Sequence, residues 1–241
     1  MARIKSEGLF ALAKRRTDEL GYGRIVTALI VILFAVGAAG HLYRPTLPLM
    51  LGMTPWFLLG CGIAVILPSL GSGGLRFGLW AFIIYGITFF LEALGVATGL
   101  VFGAYRYGPT LGLAAFDVPL VIAFNWVLVV YGAIRMAERR VRSDFLASVI
   151  AGVIATGFDW IMEPVAILFN YWTWSEGFIP LQNYLAWFVI AFASSFAYRK
   201  LVRRAAAGGG PSAASGSLAG VYVLIQALFF AALRMGWTLG I

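Results

Sequence analysis

Seven apolar runs, at about 25–42, 48–67, 76–100, 118–137, 146–169, 183–199 and 217–237, are each long enough to cross a bilayer, and they constrain this chain more than any other feature. Short clusters of Pro, Gly, Ser and charge separate them. In 241 residues, seven crossings of roughly 20 residues leave no room for a separate soluble domain. The composition agrees. At 61% hydrophobic and 12% charged, with mean hydropathy +0.91, there is too little polar surface to cover a globule. The expected fold is all-α: an integral-membrane bundle of about seven transmembrane helices, multi-pass in the cell membrane, with a cytoplasmic segment 1–24 and a single domain 25–241.

The net charge of +8 is no sign of nucleic acid, because the basic residues lie between the apolar runs, where they set orientation. Alternate loops divide the 18 Lys and Arg unevenly. One side holds the six of segment 1–24 with Arg76, Arg135, Arg139, Arg140, Arg142, Arg199, Lys200, Arg203 and Arg204; the other holds Arg44, Arg106 and Arg234. The positive-inside rule then predicts a cytoplasmic N-terminus and an outer C-terminus. Residues 1–24 lack a long apolar core, so no cleaved signal peptide is expected, and 205–217 reads as a flexible cytoplasmic linker. Tyr105, Tyr107, Tyr171, Trp172, Trp174 and Tyr184 gather near the outer helix ends, as an interfacial aromatic belt does. The segments 101–117 and 170–182 are nevertheless long enough to form a lid or entrance.

An ionisable group in hydrocarbon costs about 2.5–3.5 kcal/mol even on the lenient insertion scale, so each one needs a reason. Three carboxylates need one: Glu92, Asp159 and Glu163. Glu92 heads a stripe with Gly95, Gly99 and Gly103 at helical spacing, which either packs against another helix or forms a groove against a flat ligand. On span five Gly152, Thr156, Asp159 and Glu163 share a face, with the two acids one turn apart. Like charges so placed repel, so in a dry site one acid should hold a proton or the pair should share it. Pro164 removes a backbone donor and predicts a kink beside them. Counting from the outer span ends at 1.5 Å per residue puts Glu92, Asn125, Asp159 and Glu163 in one layer about 9–15 Å deep. A shared depth points to a site bounded by spans three, four and five; a polar network that merely ties helices together is the alternative. His41 reads as an interfacial ring bonded to a carbonyl, Cys61 as packing and Asp117 as a helix start before Val118-Pro119. Asn183 is either a cap of span six or a substrate contact.

One Cys and one His complete neither a disulfide nor a Cys/His zinc site, so no metal is expected. There is no GxSxG, HExxH, P-loop or dinucleotide fingerprint, and no aspartate-rich prenyl-diphosphate motif. Lys5, Lys14 and Lys200 all sit at cytoplasmic ends, which excludes a retinal Schiff base. Acid–base chemistry on an apolar substrate entering from lipid remains. A neutral carboxylic acid in a dry, aromatic-lined pocket can protonate an alkene while a second carboxylate and ring faces stabilise the cation. Hydration or cyclisation of an isoprenoid end group fits these parts.

The ordered residues also resemble a family. Glu92-x2-Gly-Val-x-Thr-Gly-x2-Phe-Gly-x-Tyr-x-Tyr107, Val118-Pro119-Leu120 with Asn125-Trp126, Asp159-x3-Glu163-Pro164, Trp172-x-Trp174-x2-Gly177, Pro180-x2-Asn183 and Trp187 are similar to the integral-membrane carotenoid-biosynthesis hydratases. That family includes γ-carotene 1′,2′-hydratases and bisanhydrobacterioruberin hydratases. Its pattern has Asp-Pro where this chain has Glu163-Pro164, which keeps the carboxylate but lengthens it by a methylene. The resemblance implies addition of water to a terminal C=C of a γ-carotene- or lycopene-like carotenoid, without cofactor, giving a tertiary alcohol. Glu92, Asp159 and Glu163 would then be catalytic, with Asn125 holding the water. Trp126, Tyr105 and Trp160 would line the pocket, and Gly95, Gly99 and Asn183 would contact substrate. The spacing does not decide which carboxylate is acid and which is base. A lycopene-cyclase-like enzyme and a non-catalytic carotenoid-binding protein are the rival readings.

Overall fold

The computed structural model describes residues 2–203 and 211–240, with side chains from residue 18 onward except at 19, 214 and 215. Among the described residues six helices are long and apolar enough to cross a membrane. They are α1 (Ala2–Leu42), α2 (Leu47–Thr98), α3 (Leu120–Glu138), α4 (Asp144–Leu168), α5 (Leu181–Tyr198) and α6 (Ala213–Thr238). A π-helical turn, Arg199–Arg203, extends α5. The protein is an all-α integral membrane protein. The expected segment 1–24 is helical from Ala2 and runs into the first span as part of α1. Of the expected linker, 205–210 lie outside the described residues and 213–217 form the start of α6.

The expected seven runs lie on six helices because runs two and three are the two arms of α2. As one straight rod its 52 residues would reach about 78 Å. Gly74 prevents this: its φ of 62° and ψ of −161° fall outside the helical region and suit a residue without a Cβ. Tyr131 of α3 records the reversal. Its hydroxyl donates to Ser69 Oγ at 3.1 Å, while Phe77 and Trp80 from beyond the break place their rings 4.8 and 6.1 Å from its own. The chain therefore folds back at Gly74, and the arms 47–73 and 75–98 run in opposite directions.

α3 is the hub. Two-thirds of its most apolar stretch (67%) is buried, against 22% for α1 and α2, whose outer faces carry exposed Leu29, Ile32, Trp56 and Phe82 as lipid-facing helices do. Helix–helix packing is close enough that a Cβ on Gly132 of α3 would fall 2.7 Å from the Ala219 carbonyl oxygen of α6. At one end, here the basic end, Arg135, Arg199 and Arg203 surround Glu138 and Asp144. At the other, the two long connections carry short strands and one 3-10 turn, Pro109–Leu111. β1 (Tyr105–Tyr107) pairs antiparallel with β4 (Trp172–Trp174), and β2 (Ala114–Ala115) with β3 (Val118–Pro119). Asp117 does not start α3. With Phe116 it makes the two-residue turn of the β2–β3 hairpin, both at positive φ (60° and 52°), and α3 begins behind Pro119.

Candidate functional site

Four helices deliver polar side chains to one cavity at the end where the strands lie. The second arm of α2 brings Glu92, α3 brings Asn125 and Trp126, α4 brings Asp159 and Glu163, and α5 brings Asn183 and Trp187. The three acids are buried, at 5%, 0% and 1% exposure. The layer expected from spans three, four and five is thus closed on a further side by α5, through residues the depth count did not include.

What surrounds these acids is not charge but aromatic donors. Glu92 Oε2 accepts from the Tyr105 and Tyr107 hydroxyls at 2.5 and 2.8 Å, and its Oε1 from Trp126 Nε1 at 2.7 Å. Glu163 Oε2 accepts from Trp172 Nε1 and Trp174 Nε1, both at 3.0 Å, and its Oε1 from Asn183 Nδ2 at 3.3 Å. The same Asn183 nitrogen donates to Asp159 Oδ2 at 2.7 Å. Hydrogen bonds to a charged acceptor contribute about 1.5–3 kcal/mol each, which offsets much of the desolvation of a buried carboxylate. Burial, with Glu92 alongside, pushes the Tyr105 and Tyr107 hydroxyls well above the ordinary tyrosine range, so both keep the proton they donate.

The strand pair explains how four rings reach two acids. In a strand, alternate side chains point the same way. Tyr105 opposes Trp174 and Tyr107 opposes Trp172, with ring centroids 5.2 and 5.9 Å apart, so all four project to one face. Arg106 and Thr173 occupy the opposite face, where Arg106 Nε donates to Thr173 Oγ1. Gly108 closes the pairing: its N–H donates to the Tyr171 carbonyl, and a Cβ there would collide with the Asn170 carbonyl oxygen. Tyr107, Trp172, Trp174 and Trp187, whose ring stacks on Trp126 at 3.7 Å, were missed as site residues by the sequence reading. A signal was present. Tyr-Arg-Tyr and Trp-Thr-Trp are both aromatic–polar–aromatic triplets with the period of a strand.

Three of the expected substrate contacts lie elsewhere. Trp160 is 57% exposed on the far side of α4, under the Arg234 guanidinium, because one position along a helix turns a side chain by about 100° from Asp159. Gly99 is the left-handed cap that ends α2 (φ 70°), and Gly103 lies in the following loop, so the glycine stripe does not continue as a helix face. Gly95 is on the face of Glu92, but it makes room for the chain's own loop. A Cβ there would meet Phe102 at 2.9 Å and the Tyr105 hydroxyl at 3.3 Å. Asn183 is not the cap of α5, a position taken by Pro180. His41 donates from Nδ1 to the Gly37 carbonyl at 2.7 Å and packs on Phe169 and Phe229, apart from the carboxylates.

The cavity between the acids measures about 40 Å³. A water needs roughly 10–15 Å³ of such space and two or more polar partners, so the chamber suits a few waters. An apolar groove of about 170 Å³, lined by Phe34, Met50, Met53, Phe57, Phe229 and Phe230, lies between α1, the first arm of α2 and α6. One hydrogen bond links the walls of the two spaces: Gln226 lines the groove, and its Nε2 donates to Oδ1 of Asn125, which lines the chamber. Among the described residues no group of three His, Cys, Asp or Glu is arranged to hold a metal ion.

No solved structure matches the chain. A bisanhydrobacterioruberin hydratase from Haloarcula japonica is 31% identical over 155 residues, which cover 58% of this chain and 45% of that protein. The chain thus spans less than half of that relative's length. The family model described as carotenoid biosynthesis protein matches residues 52–239, which takes in both arms of α2, the strand pair and every carboxylate of the site. The chain belongs to the carotenoid biosynthesis protein family.

Proposed function

We propose that the protein is a carotenoid hydratase that adds water to the terminal C1′=C2′ bond of a ψ end group. The observation that carries this reading is the water-sized chamber bounded by three buried carboxylates, none of which has an ion pair among the described residues. Protonating a trisubstituted alkene at C2′ needs an acid, and the tertiary cation formed at C1′ needs nearby negative charge and ring faces. Glu92, Asp159 and Glu163 supply acid and anions, and Trp126, Trp187 and Tyr105 supply ring faces. Capture of the cation then separates hydration from cyclisation. A chamber with room for water and with Asn125 on its wall supports capture by water. The long apolar chain would lie in the neighbouring groove or in lipid, as for a γ-carotene- or lycopene-like substrate. Family membership and the hydratase relative support the same chemistry.

The test is expression in a host that accumulates lycopene or γ-carotene, followed by pigment mass spectrometry. A product heavier than its precursor by one water is expected. A product of unchanged mass and altered absorption would instead mark a cyclase, and unchanged pigment retained by the purified protein would mark a binding protein. The same reading places the N-terminus and the basic end in the cytoplasm, following the charge bias. Reporter fusions should put the two termini on opposite sides of the cell membrane; termini on one side would overturn that orientation.

A further inference from the structure

Resting on the hydration reading, we propose that Asp159 is the proton donor, and that the aromatic strand pair β1–β4 sets this division of labour by holding Glu92 and Glu163 as anions. The three acids are equally buried but differently served. Glu92 and Glu163 are alike: on each, one oxygen accepts two donors and the other accepts one. An ionised carboxylate is acceptor-only, so three donors suit it, whereas an added proton would point at a donor and displace a bond. Five of these six donors cannot yield to such a proton. Indole N–H groups donate only, and the two tyrosine hydroxyls hold their protons firmly in this environment.

Asp159 lacks this support. It is fully buried, and among the described residues it receives only the Asn183 amide on Oδ2 while its Oδ1 has no hydrogen-bond partner. A buried ion with one hydrogen bond, one helical turn from another anion, is far costlier than a neutral carboxyl in the same place. A neutral carboxyl also has something to do with Oδ1: it carries the O–H in a side chain that lines the chamber.

The reaction balances with these assignments. The Asp159 O–H bond breaks, and its proton goes to C2′ as the alkene π pair becomes the new C–H bond. Asp159 is left a carboxylate and C1′ a tertiary cation, facing Glu92 and Glu163. A chamber water bonds through its oxygen lone pair to C1′ and gives up a proton to Glu163 Oε1, whose one donor, Asn183, is the longest of the six contacts, at 3.3 Å. That proton returns to Asp159 through chamber water. The net change is alkene plus water to alcohol. Tyr105, Tyr107, Trp172 and Trp174 are positioning residues, acting on substrate charge through the acids they hold.

The experiment uses the purified full chain in detergent with lycopene, measuring hydrated product across a pH series. Asp159→Asn should lose about 10²–10⁴-fold in rate at every pH, and Asp159→Glu should recover a measurable part of it. Trp174→Phe keeps the ring and removes one donor from Glu163. It should retain the wild-type melting temperature within a few degrees, yet move the acid limb of the pH–rate profile to higher pH, because Glu163 then picks up a proton more readily. Asp159→Asn at the wild-type rate, with Glu163→Gln inactive, would transfer the donor role to Glu163 and overturn the assignment. A Trp174→Phe profile superimposable on wild type would overturn the clamp. Wild-type protein that hydrates nothing at any pH would overturn the hydration reading itself, a failure visible before any variant is compared.

Discussion

At the basic end, Glu138 and Asp144 lie within 2.7 to 4.0 Å of Arg135, Arg199 and Arg203. At the strand end, Glu92, Asp159 and Glu163 are more deeply buried than either, yet hydroxyls, indoles and one amide hold them and no arginine among the described residues does. The two solutions differ in what they leave behind. Cations cancel the field of the acids and fasten three helices together. Neutral donors fix the direction of each carboxylate but leave its negative charge in the cavity, available to a proton or to a cationic intermediate. An arginine among the site acids would repel that cation. The difference teaches where to look for chemistry: buried acids whose partners are neutral keep a charge that the fold itself does not use.

The largest expected effect follows from the strand end. Asp159→Asn, Glu163→Gln and Glu92→Gln each keep the shape of the side chain but lose the proton exchange or the negative charge it supplies, so hydration should fall by about 10²–10⁴-fold while pigment binding persists. Product yield and retained pigment, measured on the same preparations, check this. Variants that bind pigment and hydrate at the wild-type rate would show the acids to be packing elements, which erases the contrast between the ends.

Arg199→Met sharpens the comparison from the other side. Arg199 is fully buried between Glu138 and Asp144, and removing one partner of a buried ion network costs about 3–5 kcal/mol. Its thermal midpoint in detergent should drop sharply. Activity per folded molecule should stay unchanged, since the substitution lies at the opposite end from the chamber. Loss of activity without loss of stability would mean that the two ends are not separate in function.

The smallest effects belong to residues whose type suggests chemistry but whose position does not. Trp160→Phe, on an exposed face, should hydrate at the wild-type rate, and His41→Phe, on the wall of the apolar groove but bonded to no carboxylate, should keep the maximal rate even where substrate affinity shifts. A strong activity loss in either, with the fold intact, would extend the site beyond the chamber described here.

Much of this was legible in the sequence, for physical reasons. Apolar run length fixes the helices, and counting residues from the span ends brings Glu92, Asn125, Asp159 and Glu163 to one depth, because a helix converts number into height. The count fails where the backbone leaves the helix. Gly99 and Gly103 fit the stripe in number, but α2 ends at Thr98 and the stripe ends with it. Trp160, expected as a pocket ring, points outward because one step along α4 from Asp159 turns the side chain to another face. Tyr107, Trp172 and Trp174 were read as a headgroup belt because aromatic rings near span ends usually are one. Their role comes from pairing two segments separated by two helices, which no local period reveals, although the alternation within each triplet hints at it.

The most direct measurement of the central claim is the origin of the oxygen. Purified protein is supplied with lycopene in water enriched in heavy oxygen, and the product is analysed by mass. Wild-type protein should place one labelled oxygen in each hydrated end group, and Asp159→Asn, folded and pigment-bound, should form about 10²–10⁴-fold less of that product in the same time. An unlabelled alcohol, or equal labelling by wild type and Asp159→Asn, would contradict hydration by the carboxylate chamber.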